Sequence, residues 1–170
     1  MRKMLAVLLL VLPLSLSKAQ TAPAMPVEPT AIGIVYHLDP TTQELRPLPD
    51  EPWKEHLRQQ HPFVATFIRS VEISGDRSSF RLKATEKDDF VFKTGSPEQV
   101  ALYLTQQVKK KRSFDFKKEA GPDKQPIKGI PVEVSTYGER SYKLIPSAPL
   151  APGEYAINIA GEVYTFGVDQ

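Results

Sequence analysis

Not one cysteine occurs among the 170 residues of this chain. That absence removes three kinds of chemistry. No disulfide can restrict the unfolded chain, no thiolate can act as nucleophile or zinc ligand, and no cysteine can carry a lipid. Histidine is nearly as scarce, with only His37, His56 and His61. His56 and His61 stand five apart, which is not a helical pair, and no carboxylate lies at a recognised zinc spacing. A strand would turn His37 to the side opposite Ile32, so no metal site is expected. The Gly-x-Ser-x-Gly elbow that exposes a nucleophilic serine is missing; Ser74-Gly75 reads as a strand end and Ser135 as part of an alternating strand. Glycine-rich phosphate loops and RNA-binding motifs are missing too, and Gly129-Ile130-Pro131 opens no helix. Neither a cofactor nor a nucleic-acid partner is expected.

Long apolar runs are also lacking, except at the very start. Leu5 to Leu16 is apolar apart from Pro13 and Ser15, follows Arg2 and Lys3, and is followed by Ser17-Lys18-Ala19. A basic start, a short apolar stretch and small residues before a cut are the plan of a secretory signal, here residues 1–19 with cleavage near Ala19. The run falls short of the roughly 20 apolar residues of a spanning helix, so no membrane span is expected in the mature chain. The expected location is periplasmic or extracellular. Without the signal's Arg2, Lys3 and Lys18, 19 bases face 20 acids. A chain so close to neutral gives no general reason to bind nucleic acid or membrane. Stability then rests on a hydrophobic core, which a domain of roughly 150 residues can build alone.

Proline is what the chain has in plenty, 16 in all, and their spread opposes any long helix. Residues 20–30, with proline alternating with small residues, read as an extended leader, and residues 31–170 as one domain. Ile32, Ile34, Tyr36 and Leu38 alternate, Asp39-Pro40-Thr41-Thr42 turns, and Leu45 to Leu48 returns as a hairpin. Between Pro49 and Pro62, Trp53 and Leu57 stand four apart, which suggests a turn or two of helix. Alternation resumes at Phe63, Ala65, Phe67, Val71 and Ile73, then at Phe80 and Leu82, then at Phe90 and Phe92. Residues 97–111 fit either strand or helix, and Tyr103, Thr105 and Val108 favour strand, leading through Lys109-Lys110-Lys111 into Phe114 and Phe116 as a long hairpin with a basic tip. Lys117 to Gly129 is polar and broken by Gly121-Pro122, and it reads as a surface loop. Val132 to Thr136, Tyr142 to Leu144, Tyr155 to Ile159 and Val163 to Val168 complete a series of short strands. The expected fold class is all-β, an antiparallel β-sandwich with at most a short helix.

At Leu150-Ala151-Pro152-Gly153-Glu154-Tyr155, followed by alternating Ile157 and Ile159 and by Tyr164 to Val168, the chain resembles the last strand pair of immunoglobulin-like and fibronectin type III-like sandwiches. There a leucine-x-proline-glycine-x-tyrosine corner leads into the penultimate strand. The resemblance implies that the Tyr155 ring is buried while its hydroxyl reaches a backbone acceptor, and it implies an immunoglobulin-like topology. The ending is also similar to that of uncharacterised exported bacterial proteins, which implies no function. The inter-sheet cysteines are missing, and Trp53 sits in a proline-flanked stretch unlike a core strand.

Two clusters of charge remain. Glu86, Asp88 and Asp89 gather in an expected hairpin turn, where three carboxylates suit a calcium ion or acid–base work. They lack the glycine and distal glutamate of an EF-hand loop and include Lys87, which is the pattern of a solvated turn. From Lys109 to Lys128 there are eight bases against Asp115, Glu119 and Asp123. The binding candidates are Lys109, Lys110, Lys111, Arg112, Lys117 and Lys118, with Phe114 and Phe116 between them. Such a stripe can meet an anionic partner, or can simply blunt a sheet edge. The expectation is a non-catalytic binding module of the cell envelope whose partner is an envelope protein or an anionic envelope polymer. The other readings are a binder of anionic polysaccharide or lipid, and a carboxylate-dependent hydrolase.

Overall fold

Alternating apolar residues set off by turn chemistry produce strands along almost the whole chain. The computed structural model describes residues 26–84, 88–120 and 123–170. The expected signal, the expected leader as far as residue 25, Glu86 and Gly121-Pro122 lie outside the described residues. The strands are β1 (Val35–Leu38), β2 (Leu45–Pro47), β3 (Trp53–His61), β4 (Val64–Ser74), β5 (Arg81–Lys83), β6 (Phe90–Phe92), β7 (Ala101–Leu104), β8 (Gln106–Val108), β9 (Lys111–Ala120), β10 (Asp123–Pro126), β11 (Val132–Tyr137), β12 (Ser141–Pro146), β13 (Gly153–Ile159) and β14 (Glu162–Asp169). Helix, among the described residues, is confined to one 3-10 turn at Pro97–Gln99. The fold is all-β, as the spread of prolines and the period-two runs predict.

Three sheets result. A front sheet runs β11-β12-β6-β1-β2, a central sheet β5-β14-β13-β7, and a third sheet β10-β9-β4-β3 with β8 also paired to β9. All pairs are antiparallel except β5 with β14. The third sheet is assembled from two separate stretches of chain, one between β2 and β5 and the other between β7 and β11.

The main core lies between the front and central sheets. Val35, Phe90, Phe92 and Leu144 meet Leu102, Tyr155, Ile157, Ile159 and Phe166. Phe166 packs its ring 4.7 Å from Phe90 and 5.3 Å from Tyr155. The opposite face of the central sheet is covered as well, where Ala156 and Val163 pack against Val71, Ile73 and Phe114 of the third sheet. This two-sided cover explains why β14 is buried from Val163 to Val168 without alternation. The tyrosine corner forms as its residues imply: Tyr155 is buried and its hydroxyl donates to the carbonyl of Ala151 at 2.6 Å.

Several local readings are corrected. The Trp53–Leu57 stretch is strand, not helix; a spacing of four is also a multiple of two, so both residues share one strand face. Trp53 is half-buried against the second core. On β1 the inward face is Val35 and His37, while Ile32 lies 76% exposed ahead of the strand. His37 is buried between the rings of Phe80 and Phe90. The segment read as a loop from Lys117 is β9 continuing to Ala120 and pairing with β10. Polarity misled there because those strands touch water on both faces. The basic hairpin is short: at Thr105, whose amide and hydroxyl both donate to the Glu154 carbonyl at 2.9 Å, the chain leaves the central sheet for the third. The end of the leader is anchored, since Glu28 accepts hydrogen bonds from the amide of Arg140 at 3.1 Å and the hydroxyl of Ser141 at 2.7 Å. The turn it caps includes Gly138, at φ +67°, where a Cβ would strike the Glu28 carboxylate.

Candidate functional site

The base of the third sheet is held by buried charge. Arg112 on β9 is fully buried, and its guanidinium ion-pairs with Glu51, lies 3.6 Å from Glu154, and donates to the carbonyls of Gly75 at 3.1 Å and Ser74 at 3.3 Å. Glu154 on β13 also accepts from the amide of Ser78 at 2.8 Å and pairs with Arg81 of β5. Arg81 in turn holds Asp169 of β14 through two bonds of 3.1 and 2.6 Å, and Arg77 adds a third contact to that carboxylate at 2.9 Å. Three guanidiniums thus face three carboxylates. Gly167 leaves room at the crossing, because a Cβ there would push the Arg81 guanidinium from its place. The network pins β9 to the central sheet, and it removes Arg112 from the group of candidate surface cations.

The other five candidates separate. Lys109 and Lys110 form the exposed two-residue turn between β8 and β9, with Lys109 in the left-handed region at φ 59°. Lys111 follows on the outer face of the third sheet, the face turned away from the central sheet, and bonds Glu72 at 2.5 Å. Lys117 and Lys118 lie six and seven residues further along β9, roughly 20 Å away at strand rise. Lys117 is on the inner face, 3.6 Å from Glu119. Lys118 is on the outer face, opposite Ile68. The stripe of the sequence is therefore split into a turn, a buried anchor and a distal pair.

A different set of residues is brought together. The ladder aligns Lys54 with Glu72, His56 with Ser70, and Arg58 with Ile68 between β3 and β4. Across β4, Glu72 faces Ser113, Ser70 faces Asp115, and Ile68 faces Lys118. A bulge at Arg69/Ser70 keeps the alternation of β4 while setting Phe116 aside toward the second core. The outer face thus carries Lys54, His56, Arg58, Lys111 and Lys118, with Lys109 and Lys110 at its rim, against the carboxylates of Glu72 and Asp115. Arg58 bonds Asp115 at 2.7 Å, and His56 lies 3.6 Å from Glu72. Lys111 and His56 hold the Glu72 carboxyl below its ordinary value, the Lys111 hydrogen bond acting most strongly. Among the described residues Lys54, Lys109, Lys110 and Lys118 stand in no ion pair. Val108, Ser113, Glu72, the two turn lysines and Lys111 line an open groove of about 700 Å³ on this face.

Lys54, His56 and Arg58 were invisible as site residues in the sequence because they are spread over a stretch with no charge run. Their every-second-residue spacing was the available signal, and it puts three bases on one strand face. Of the acidic turn, Asp89 bonds Lys143 at 3.4 Å and Asp88 is half-buried. No group of three His, Asp or Glu among the described residues is placed to hold a metal ion. No helix among them is long and apolar enough to cross a membrane. Compared with family models, with curated proteins and with solved structures, the chain matches none.

Proposed function

We propose that the protein is an exported, non-catalytic binding module of the cell envelope, in which a sandwich carries the third sheet as a contact surface for an anionic partner. The observation that supports this reading most is the outer face, where Lys54, Lys109, Lys110 and Lys118 stand in no ion pair among the described residues. Charged side chains on open edge strands keep them from pairing at random. Such a face attracts acidic protein surfaces by complementarity and speeds encounter more than it tightens the complex.

The sandwich beneath it is read as immunoglobulin-like. In support, β1, β6, β12 and β11 stand in the order of strands A, B, E and D, and β7, β13 and β14 in the order C, F and G. The tyrosine corner then falls at the start of the strand in the F position. On this reading the third sheet is made of two insertions, one between strands A and B and one between C and D.

The test is in-cell cross-linking of the full-length tagged protein, signal intact, with mass spectrometry of the captured peptides. The expected result is one dominant envelope protein with cross-links at Lys54, Lys109, Lys110 or Lys118, lost when these four are changed to glutamate. Capture that survives the charge reversal would count against the reading. A second reading, an anionic polysaccharide or lipid at the β8–β9 turn, is favoured by the three clustered lysines beside Val108, which is 58% exposed. It predicts retention of the purified protein on a sulfated polysaccharide or on anionic vesicles, weakening as salt shortens the Debye length below about 8 Å. Retention that ignores salt would remove it.

A further inference from the structure

We infer that the open edge of β3 accepts an added β-strand from a partner protein, one that presents acidic side chains to the outer face and an apolar side chain opposite Leu57. The inference rests on the outer face being anion-facing, and it specifies how a protein partner would bind there.

Among the described residues β3 is an edge, hydrogen-bonded to β4 alone. Its ladder is unbroken from Trp53 to Gln59, and every residue from Lys54 to Gln60 is exposed. Seven residues in register span roughly 20 Å, enough for a full added strand. Half of the backbone N–H and C=O groups of an edge strand point outward with no partner, which is the template for strand addition.

The side chains decide what can pair. In an antiparallel pair directly opposite residues share a face, so an added strand places alternate residues against Lys54, His56 and Arg58 outside and against Glu55, Leu57 and Gln59 inside. A second copy of β3 fits badly. Registers centred on His56, Leu57 or Arg58 oppose Lys54 to Arg58, His56 to Arg58, or Arg58 to itself, and one centred on Glu55 opposes that carboxylate to itself. Like charges directly opposite are destabilising. An acidic strand instead continues the alternation of sign already present across the sheet. There Glu72 sits between Lys111 and His56, and Asp115 bonds Arg58. Lys54 lies opposite Glu72 but stands in no ion pair among the described residues, and an acid on the added strand would flank its other side. Inside, Glu55 is held by Arg69, while Leu57 is 54% exposed and would be covered by an apolar residue.

The probe is a capped peptide of the length of β3, 9 residues, alternating aspartate with valine; the control has the same composition in two blocks. Amide exchange of the full chain is followed with each. The alternating peptide should slow exchange across Lys54–Gln59 by about tenfold, and the block peptide should not, because opening of edge amides sets their exchange. Lys54→Glu with Arg58→Glu should weaken binding by about tenfold or more. His56→Pro and Leu57→Pro are made separately: successive N–H groups alternate between β4 and the open side, so one of the two blocks the edge while sparing the β3–β4 ladder. That variant should fold and lose the peptide. A peptide that binds but leaves β3 exchange unchanged, or binds the folded proline variant as well, overturns strand addition. If the alternating peptide fails while the cross-links at the four lysines persist, the edge is wrong and the cationic face stands. If charge reversal changes neither, both fall.

Discussion

The sandwich and the third sheet use strand length in opposite ways. The front and central sheets are built of strands of 3 to 8 residues, and most of their inward side chains are buried. β3, β4 and β9, at 9, 11 and 10 residues, are the longest strands, yet β3 is exposed along nearly its whole length. Apolar burial holds the first region. The second has a smaller apolar cluster at its base, from Val71, Ile73 and Phe114, and beyond it ladder bonds, cross-strand ion pairs and one buried arginine. Long strands are therefore no sign of a large core: here they extend a surface beyond the core that supports them.

The sharpest way to separate the two is to delete side chains in each. Phe166→Ala removes a ring buried between Phe90 and Tyr155, and it should cost about 3–5 kcal/mol in chemical denaturation, through lost burial and the cavity left behind. Leu57→Ala on the exposed strand should stay within about 0.5 kcal/mol. A large loss from Leu57→Ala would mean that β3 is covered by something and that the contrast is false.

Next comes the joint. Arg112→Met leaves Glu51 and Glu154 without their shared cation, and breaking a buried pair from one side costs about 3–5 kcal/mol. The loss should be local as well as global: limited proteolysis should cut β3, β4 and β9 before the sandwich strands. If all regions are cut together, the third sheet is part of one cooperative unit and not a graft on it. Gly167→Ala should give a smaller loss, about 1–3 kcal/mol, because the new Cβ displaces Arg81 from Glu154 and Asp169, and these are charged hydrogen bonds. An unchanged midpoint would mean that Arg81 finds another route to the same carboxylates.

These two regions were not equally legible in the sequence. The sandwich strands announced themselves because one face of each is apolar: Phe90 and Phe92, Tyr142 and Leu144, and the corner before Tyr155 could all be placed by period and punctuation alone. The third sheet hid its strands, since distal β9 and β10 are polar on both faces and β3 carries only Trp53 and Leu57 on one, a spacing that fits helix as well as strand. The candidate site suffered from the same cause. Six neighbouring bases looked like one patch, but strand geometry sent Arg112 inward, Lys117 to the inner face and Lys118 roughly 20 Å from Lys111. What gathers cations in space is pairing between strands far apart in sequence, Lys54 with Glu72 and Ile68 with Lys118, and no local pattern encodes it. The burial of Arg112 was equally hidden, because its carboxylates come from Glu51 and Glu154, on other parts of the chain.

Acid gives the gentlest probe of the contrast. The Arg69 hydrogen bond holds the Glu119 carboxyl below its ordinary value of 4.5, and the Lys111 bond does the same for Glu72. A carboxyl whose folded value is depressed adds stability that is fully present above its unfolded value and is lost as pH falls through the folded one. These two half-buried carboxyls tie β4 to β9 within the third sheet, whereas Ala156 and Ile157 in the middle of β13 are buried among apolar side chains. Amide exchange in β4 and β9 should therefore quicken as pH drops below about 4.5, after correction for the intrinsic rate, while exchange at Ala156 and Ile157 holds. Glu119→Gln keeps a hydrogen-bond acceptor for Arg69 and gives up the charge, so it should be slightly looser at neutral pH and should flatten the acid response of distal β9. If Glu119→Gln leaves that response as steep as before, the ion pairs contribute nothing measurable, and ladder bonds alone keep the third sheet extended.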